Sequence, residues 1–251
     1  MARAAVYGRP GRVRVMRTVA VVLAGGSGRR FGGSMPKQLH LLAGRTLLEH
    51  CVAAFDRAPS VDEVLVVIAD EFIAQVTADL GGYRKLGGVV AGGSARTDST
   101  RQAIAAIGLS GRECNVLFHD AARPLVDQRI IADCTAALDN WQAIGVVVPS
   151  SDTIVEVAEG TLGRVLPRDT LARCQTPQGF RFSVIRRAYE LAAADPGFAM
   201  LSATDDCGVV RRYLPDVPIG AVAGSERNMK VTYPGDLALA EALLRQQDAE
   251  L

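Results

Sequence analysis

Short apolar runs rich in β-branched residues alternate along this chain with longer amphipathic stretches. Continuous apolar strands separated by helices are typical of a parallel sheet covered by helices on both faces. We therefore predict an α/β fold with a Rossmann-like, mostly parallel sheet. The predicted strands cover residues 18–24, 62–69, 88–91, 114–118 and 144–149, and the helices between them cover 45–58, 70–80, 95–108 and 127–140.

The pattern changes from Ser150 to Thr176, where two short β-branched runs are joined by a turn-like segment. This arrangement predicts a projecting β-hairpin arm with strands at 153–157 and 163–166. Because a lone hairpin is marginally stable in water, we expect the arm to pack on a second subunit. After it, the pattern predicts helices at 181–194, 203–212 and 235–247, with a strand near 217–223.

The composition bounds the class of protein. A length of 251 residues with 49% hydrophobic residues suits one sizeable domain with a buried core. The longest apolar runs, such as 19–24, are too short to span a bilayer, so no membrane contact is expected. Residues 1–17 are basic and lack the apolar centre of a secretory signal, so we predict a disordered arm there. Met16 is an alternative start, because the first strand begins directly after Arg17.

Charge and cysteine usage narrow the partners further. The formal net charge of +1 argues against a large nucleic-acid footprint. The cysteines are odd in number, scattered and without a C-x-x-C pair, which favours reduced thiols in the cytoplasm over a disulfide framework or a zinc site. The cysteines are Cys51, Cys114, Cys134, Cys174 and Cys207.

A glycine-rich segment, 23–30, directly follows the first strand. Glycines let backbone N–H groups approach phosphates closely, and such a nest binds anions. A dinucleotide fingerprint would need a glycine where Phe31 stands, and a P-loop would need one before Lys37, which follows Pro36. The cations Arg29, Arg30 and Lys37 at fixed distances favour a triphosphate site. The alternative from spacing alone is an ordinary strand-to-helix turn with solvated arginines.

Five segments in this order resemble the signature of the methylerythritol phosphate cytidylyltransferase family. They are Leu23–Phe31 with Pro36–Gln38, Gly92–Ser99, His119–Pro124, Gln175–Gln178 and Asn228–Thr232. Together they span almost the whole chain after the basic arm. The resemblance implies a single nucleotidyltransferase domain over 18–251 with residues 150–176 as a dimerisation arm, and hence a homodimer.

The resemblance also implies a CTP site. The backbone of the glycine segment would hold the phosphates and ribose, and the segment Gly93–Ser99 would face the cytosine. Arg30 and Lys37 would neutralise the triphosphate and the transition state, and Lys230 would lie close to the α-phosphate. The implied CTP-binding residues are Ala24, Gly25, Gly26, Gly28, Gly93, Ser94, Arg96, Ser99 and Asp120. The implied catalytic residues are Arg30, Lys37 and Lys230. A Mg²⁺ cofactor is implied, but the sequence does not indicate its ligands.

The implied acceptor is a polyol phosphate. Asp120 and Arg123 would face both the nucleotide and the acceptor, and Thr204 would complete the acceptor site. Thr153 and Arg168, both on the arm, would reach the acceptor phosphate of the neighbouring subunit. A phosphate oxygen would attack the α-phosphorus of CTP in line, and since a phosphate monoester is already anionic, no general base is required.

Several of these residues have structural alternatives. His119 at a strand end favours packing or loop support over catalysis. Asp120 could be the N-cap of the helix after Pro124. Arg168 could be a solvated hairpin charge, and Lys85, outside every motif, is expected at the surface.

Two rival functions remain at this point. The close one is a pentitol-phosphate cytidylyltransferase making CDP-ribitol, which the string Leu23–Gly26 resembles, whereas Ala122 favours the methylerythritol type. The other is an NAD-linked oxidoreductase or a non-catalytic nucleotide-binding module. Asp70 follows the second strand roughly where a ribose carboxylate would lie, but the third glycine of the fingerprint is missing.

Overall fold

A seven-stranded sheet runs through the part of the chain that the computed structural model describes, which is residues 16–25, 31, 35–198 and 205–249. Its strands are β1 (Thr18–Leu23), β4 (Glu63–Ile68), β5 (Leu86–Ala91), β6 (Asn115–Asp120), β7 (Ala143–Pro149), β10 (Ala172–Arg181) and β11 (Ile219–Ala223). They lie side by side in the order β11-β7-β10-β6-β1-β4-β5. Two small hairpins accompany the sheet, β2 (Leu41–Leu42) with β3 (Arg45–Thr46), and β8 (Val155–Ala158) with β9 (Thr161–Val165).

Helices cover both faces of the sheet. They are α1 (Leu47–Arg57), α2 (Ile73–Asp79), α3 (Arg96–Gly108), α4 (Gln128–Ala137), α5 (Phe182–Ala194), α6 (Asp206–Tyr213) and α7 (Asp236–Ala249). Alternate residues of β1 point to opposite faces, as the pleat requires. Ala20 and Val22 pack in the cluster that contains α1, α2 and α4. Val19 and Val21 pack in the cluster that contains α3, α5 and α6. The predicted α/β class is confirmed.

Local capping explains where several helices begin. The side chain of Thr46 accepts a hydrogen bond from the N–H of Glu49 at the start of α1. Asp127 does the same for Ile130 at the start of α4. These contacts satisfy donors that a helix N-terminus leaves unpaired. The predicted helix at 70–80 opens instead with a 3₁₀ turn at Asp70–Phe72 before α2.

Strand β10 was not predicted. It is antiparallel to both β6 and β7, while the other neighbouring pairs in the sheet are parallel. Its polar motif, Gln175–Gln178, hides the strand pattern because it contains a proline and no apolar alternation. The register with β7 shifts between Gln175 and Gln178, and Pro177 lies in that irregularity. Proline is tolerated within sheets at such bulges.

The arm is shorter than predicted. Residues 172–176, assigned to the arm from the sequence, belong to β10 and pair with β7. The projecting part is the β8–β9 hairpin and its flanks, and the side chains of Val157, Leu162 and Val165 are 65%, 73% and 62% exposed there. The predicted basic arm covers residues 1–17, of which residues 1–15 lie outside the described residues. In the described part of the chain, no helix is long and apolar enough to cross a membrane.

Candidate active site

The carboxyl ends of β1, β4, β5 and β6 meet at one edge of the sheet. Just beyond these strands, the N–H groups of Ala24, Gly92 and Ala121 each donate to a carbonyl of a neighbouring strand, at 2.7, 2.7 and 3.0 Å. These bonds bring together the loops that follow β1, β5 and β6. Ligands bind at this edge in open α/β sheets.

The loop after β1 closely approaches the start of α3. A Cβ atom on Gly25 would lie 2.5 Å from Oγ of Ser99, so glycine is required there for this packing. The N–H of Gly93 donates to the same Oγ at 3.3 Å. The side chain of Gln38 donates to the carbonyl of Ala24 at 2.7 Å and holds the loop from the other side. Gly26, Gly28 and Arg30 lie outside the described residues.

Asp120, the last residue of β6, is the centre of the site. Its carboxylate accepts from Nε of Arg96 at 3.1 Å and from Nζ of Lys230 at 2.7 Å, and its side chain is 13% exposed. Burial alone would raise the pKa of this carboxyl, but the charges of Arg96 and Lys230 outweigh it and hold the pKa well below its usual range. Asp120 is therefore ionised, and it is not the N-cap of α4, because Asp127 is.

Lys37 contacts the segment that carries Lys230. Nζ of Lys37 donates to the carbonyl of Val231 at 2.9 Å, one residue beyond Lys230. The N–H of Val231 donates to the carbonyl of Ala122 at 2.8 Å, which fastens this segment to the loop after β6. The structure thus places Lys37 against the segment that joins Lys230 to the loop after β6.

Arg123 ties the loop after β6 to two other segments. Its terminal nitrogens donate to the carbonyls of Asn228 at 2.8 Å and Cys174 at 3.3 Å. Nε of Arg123 is buried and has no hydrogen-bond partner among the described residues. Burial lowers the pKa of this guanidinium. Asn228 is itself buried and donates to the carbonyl of Thr176 at 2.9 Å, so β10 supports the arrangement from below.

His119 supports the loop after β6 from within the core. The ring is fully buried, Nε2 contacts the carbonyl of Arg123 at 3.0 Å, and Nδ1 contacts Oγ1 of Thr176 at 3.0 Å. The N–H of Asp120 donates to the same Oγ1 at 3.1 Å. In this network the hydroxyl of Thr176 donates to Nδ1. The ring proton therefore lies on Nε2, which donates to the carbonyl of Arg123. Burial lowers the pKa of His119 to about 4, so the ring is neutral.

Among the described residues, neither Thr153 nor Arg168 forms a hydrogen bond or an ion pair with Asp120, Arg123 or Lys230. Thr153 and Arg168 are exposed on the two flanks of the β8–β9 hairpin, and NH1 of Arg168 contacts the carbonyl of Ser151 at 3.4 Å. Thr204 lies outside the described residues. Lys85 is remote from the site, and its Nζ donates to the carbonyl of Ala58 at 2.6 Å.

Sequence reasoning missed one buried carboxylate next to the site. Asp206, the first residue of α6, forms a salt bridge with NH1 of Arg96 at 2.8 Å. Asp206 lies two residues after Thr204, the proposed acceptor residue, but no local spacing indicates that it contacts Arg96. Thr176 and Asn228 also lie within quoted motifs, but their supporting contacts depend on β10.

No group of three or more His, Cys, Asp or Glu side chains that could hold a metal ion is found in the described part of the chain. Magnesium in nucleotide enzymes is commonly held by one or two carboxylates together with substrate phosphates. The carboxylate of Asp120, beside the loop after β1, fits that mode of binding.

Gly25 after β1, with Asp120 held by Arg96 and Lys230 at the same sheet edge of an α/β fold, is typical of a nucleotide-binding enzyme. A family model for 2-C-methyl-D-erythritol 4-phosphate cytidylyltransferase matches residues 18–246. The chain belongs to this family. It is 51% identical to the 2-C-methyl-D-erythritol 4-phosphate cytidylyltransferase of Thermobifida fusca (strain YX), over 91% of this chain and 94% of that protein.

A solved structure and a more distant relative complete the comparison. The crystal structure of 4-diphosphocytidyl-2C-methyl-D-erythritol synthase from Anaerococcus prevotii matches with a TM-score of 0.79 at 26% identity, covering 92% of this chain and 99% of that one. The bifunctional ribulose 5-phosphate reductase/CDP-ribitol pyrophosphorylase of Haemophilus influenzae is 34% identical over 92% of this chain and 49% of that protein. The predicted cytidylyltransferase family is confirmed, and the oxidoreductase alternative is not supported.

We expect the neutral, buried His119 to make stability depend on pH. Its folded pKa of about 4 lies below the unfolded value, so the unfolded state binds more protons between these pH values. The free energy of unfolding should have its full value above about pH 6.5 and should decrease by on the order of 3 kcal/mol as the pH drops to about 4. Urea unfolding across this range measures it.

The His119→Asn variant should lose this slope, whereas His50→Asn, a change at a histidine outside the network, should retain it. Parallel pH profiles for the wild type and His119→Asn would show that His119 does not carry the dependence.

Proposed function

We propose that this protein transfers CMP from CTP to 2-C-methyl-D-erythritol 4-phosphate, giving 4-diphosphocytidyl-2-C-methyl-D-erythritol and pyrophosphate. The observation that carries the proposal is the carboxylate of Asp120, which is held between Arg96 and Lys230. It lies at the sheet edge where the loop after β1 begins. Family membership and the contact of Lys37 with the segment that carries Lys230 support it.

The nucleotide would occupy the space between the loops after β1 and β5. The backbone of Ala24, Gly25, Gly26 and Gly28 would hold phosphates and ribose, and Gly93, Ser94 and Ser99 would face the cytosine. The close approach of Gly25 to Ser99 supports a compact shared site. NH2 of Arg96 is buried without a hydrogen-bond partner among the described residues, which leaves a donor for a ligand.

Positively charged side chains would provide most of the stabilisation of the transition state. Lys37, Lys230 and Arg30 would bind the triphosphate and stabilise the charge that develops at the α-phosphorus. Lys230 is 41% exposed while it contacts Asp120, so its ammonium group can turn to an incoming phosphate. The acceptor phosphate is an anionic nucleophile, and the neutral, buried His119 is not needed as a base.

Magnesium would enter with the triphosphate. The phosphate oxygens would supply most of its ligands, and Asp120 is the carboxylate at hand on the protein side. When bound, the ion would supply further charge neutralisation at the phosphates.

The acceptor would lie against Asp120, Arg123 and Thr204. Thr153 and Arg168 would reach it from the arm of a second subunit. The exposed apolar side chains of the β8–β9 hairpin would then be covered in a homodimer. We place this enzyme in the cytoplasm, with its cysteines reduced.

The acceptor assay tests the function directly. With CTP and Mg²⁺, we expect pyrophosphate release with 2-C-methyl-D-erythritol 4-phosphate and little with ribitol 5-phosphate. The second acceptor is included because Leu23–Gly26 resembles the ribitol type. Turnover with ribitol 5-phosphate alone would overturn the proposed acceptor, and turnover with neither would overturn the proposed function.

The three lysines of the chain allow a matched test of the cation site. Lys37→Ala should lower kcat by about a hundredfold or more, because it removes a charge that stabilises the transition state. Lys85→Ala, at the remote lysine, should leave kcat within about twofold of the wild type. Circular dichroism checks that both variants are folded. A fully active Lys37→Ala would remove Lys37 from the mechanism.

A further inference from the structure

The carboxylate of Asp206 is completely buried and tightly held. Oδ1 accepts from the hydroxyl of Thr100 at 2.9 Å and from the hydroxyl of Tyr189 at 2.6 Å. Oδ2 lies 2.8 Å from NH1 of Arg96. The N–H of Asp206 donates to the side chain of Gln178 on β10 at 3.0 Å. Four elements, α3, α5, α6 and β10, therefore converge on one acidic residue.

Stability alone does not account for such a group. Burying an ion pair is costly, and apolar residues of similar volume often give equal or greater stability. The hydroxyl groups of Thr100 and Tyr189 both point at the carboxylate, so its position is fixed from two sides. A fixed carboxylate in turn fixes the guanidinium that it contacts.

Four charges of alternating sign run from this buried carboxylate into the site. They are Asp206, Arg96, Asp120 and Lys230, with contacts of 2.8, 3.1 and 2.7 Å between neighbours. Arg96 divides its charge between two carboxylates. Only one oxygen of Asp120 accepts from Arg96, so the second oxygen is available to accept from Lys230.

The geometry points to Asp206 as a positioning residue for CMP transfer, acting through Arg96 on Asp120 and Lys230. This inference rests on the proposed function. Asp206 orients Arg96 and balances its charge, so that Asp120 holds Lys230 loosely enough to release it to the phosphate. It also ties the start of α3, on the nucleotide side, to the start of α6, which follows the proposed acceptor residue Thr204.

The negative charge of Asp206 distinguishes this role from simple loss of structure. Asp206→Asn removes one negative charge near the site, so the affinity for the polyanion CTP should stay the same or increase. Arg96, no longer held on that side, should turn toward Asp120 and disturb Lys230, and kcat should fall. Local unfolding would instead weaken CTP binding and turnover together.

The experiment uses variants that keep the charge or the fold. Tyr189→Phe and Thr100→Val each remove one hydroxyl from Oδ1 of Asp206 with little change in shape. Tyr83→Phe is the matched control, because it removes a hydroxyl that donates to Glu49 at 3.1 Å, remote from Arg96. For each protein we would measure urea unfolding, the Kd for CTP by calorimetry, and kcat with the methylerythritol acceptor.

We expect kcat to fall about threefold to tenfold in Tyr189→Phe and in Thr100→Val, with the Kd for CTP unchanged within about twofold. Asp206→Asn should lose about tenfold or more in kcat without weaker CTP binding. Tyr83→Phe should match the wild type in both.

Unchanged kcat in Tyr189→Phe and Thr100→Val, or parallel losses of kcat and CTP affinity that follow the loss of stability, would overturn the positioning role. An inactive wild type would instead refute the proposed function, so the two failures are distinguishable.

Discussion

The site depends on one carboxylate that must remain charged while mostly buried. Asp120 ends β6, and the cations Arg96 and Lys230 compensate for the cost of burying its charge. Each cation comes from a different segment, one at the start of α3 and one between β11 and α7. The same two ion pairs therefore hold an acidic centre in place and draw together the loops that would surround a nucleotide.

The reversed strand β10 makes this arrangement possible. It lies between β6 and β7 and places Thr176 directly under the end of β6, where the hydroxyl links His119 to the N–H of Asp120. Two residues further, the side-chain amide of Gln178 accepts from the first N–H groups of α6. A polar motif inside the sheet thus supports the site on one side and begins the helix that carries Asp206 on the other.

Most of the sheet could be predicted from the sequence, because β1, β4, β6 and β7 are continuous apolar runs with little ambiguity of period. Strand β10 could not, since its central residues are polar, contain a proline and match neither a strand nor a helix pattern. The boundary of the arm was misplaced for the same reason. The prediction of the hairpin itself is confirmed, because a turn between two β-branched runs is a local signal.

The site was predictable only in part. Lys37, Arg96, Asp120 and Lys230 were identified through motifs, and the structure brings Arg96, Asp120 and Lys230 into contact. The supporting contacts of Thr176, Asn228 and Asp206 could not be predicted, because they join segments far apart in the chain. No local spacing announces that Asp206 reaches Arg96, whereas the glycine at position 25 could be anticipated from its place after the first strand.

The ionisation of Asp120 tests the account most directly. The side-chain carboxyl carbon, identified by the ¹³C resonance that disappears in Asp120→Asn, can be followed by NMR in the nucleotide-free protein from neutral pH to the lowest pH at which it stays folded. We predict that Asp120 stays ionised throughout this range, because Arg96 and Lys230 hold its pKa well below the usual value. Titration of Asp120 near the ordinary aspartate pKa of about 3.9 would contradict it.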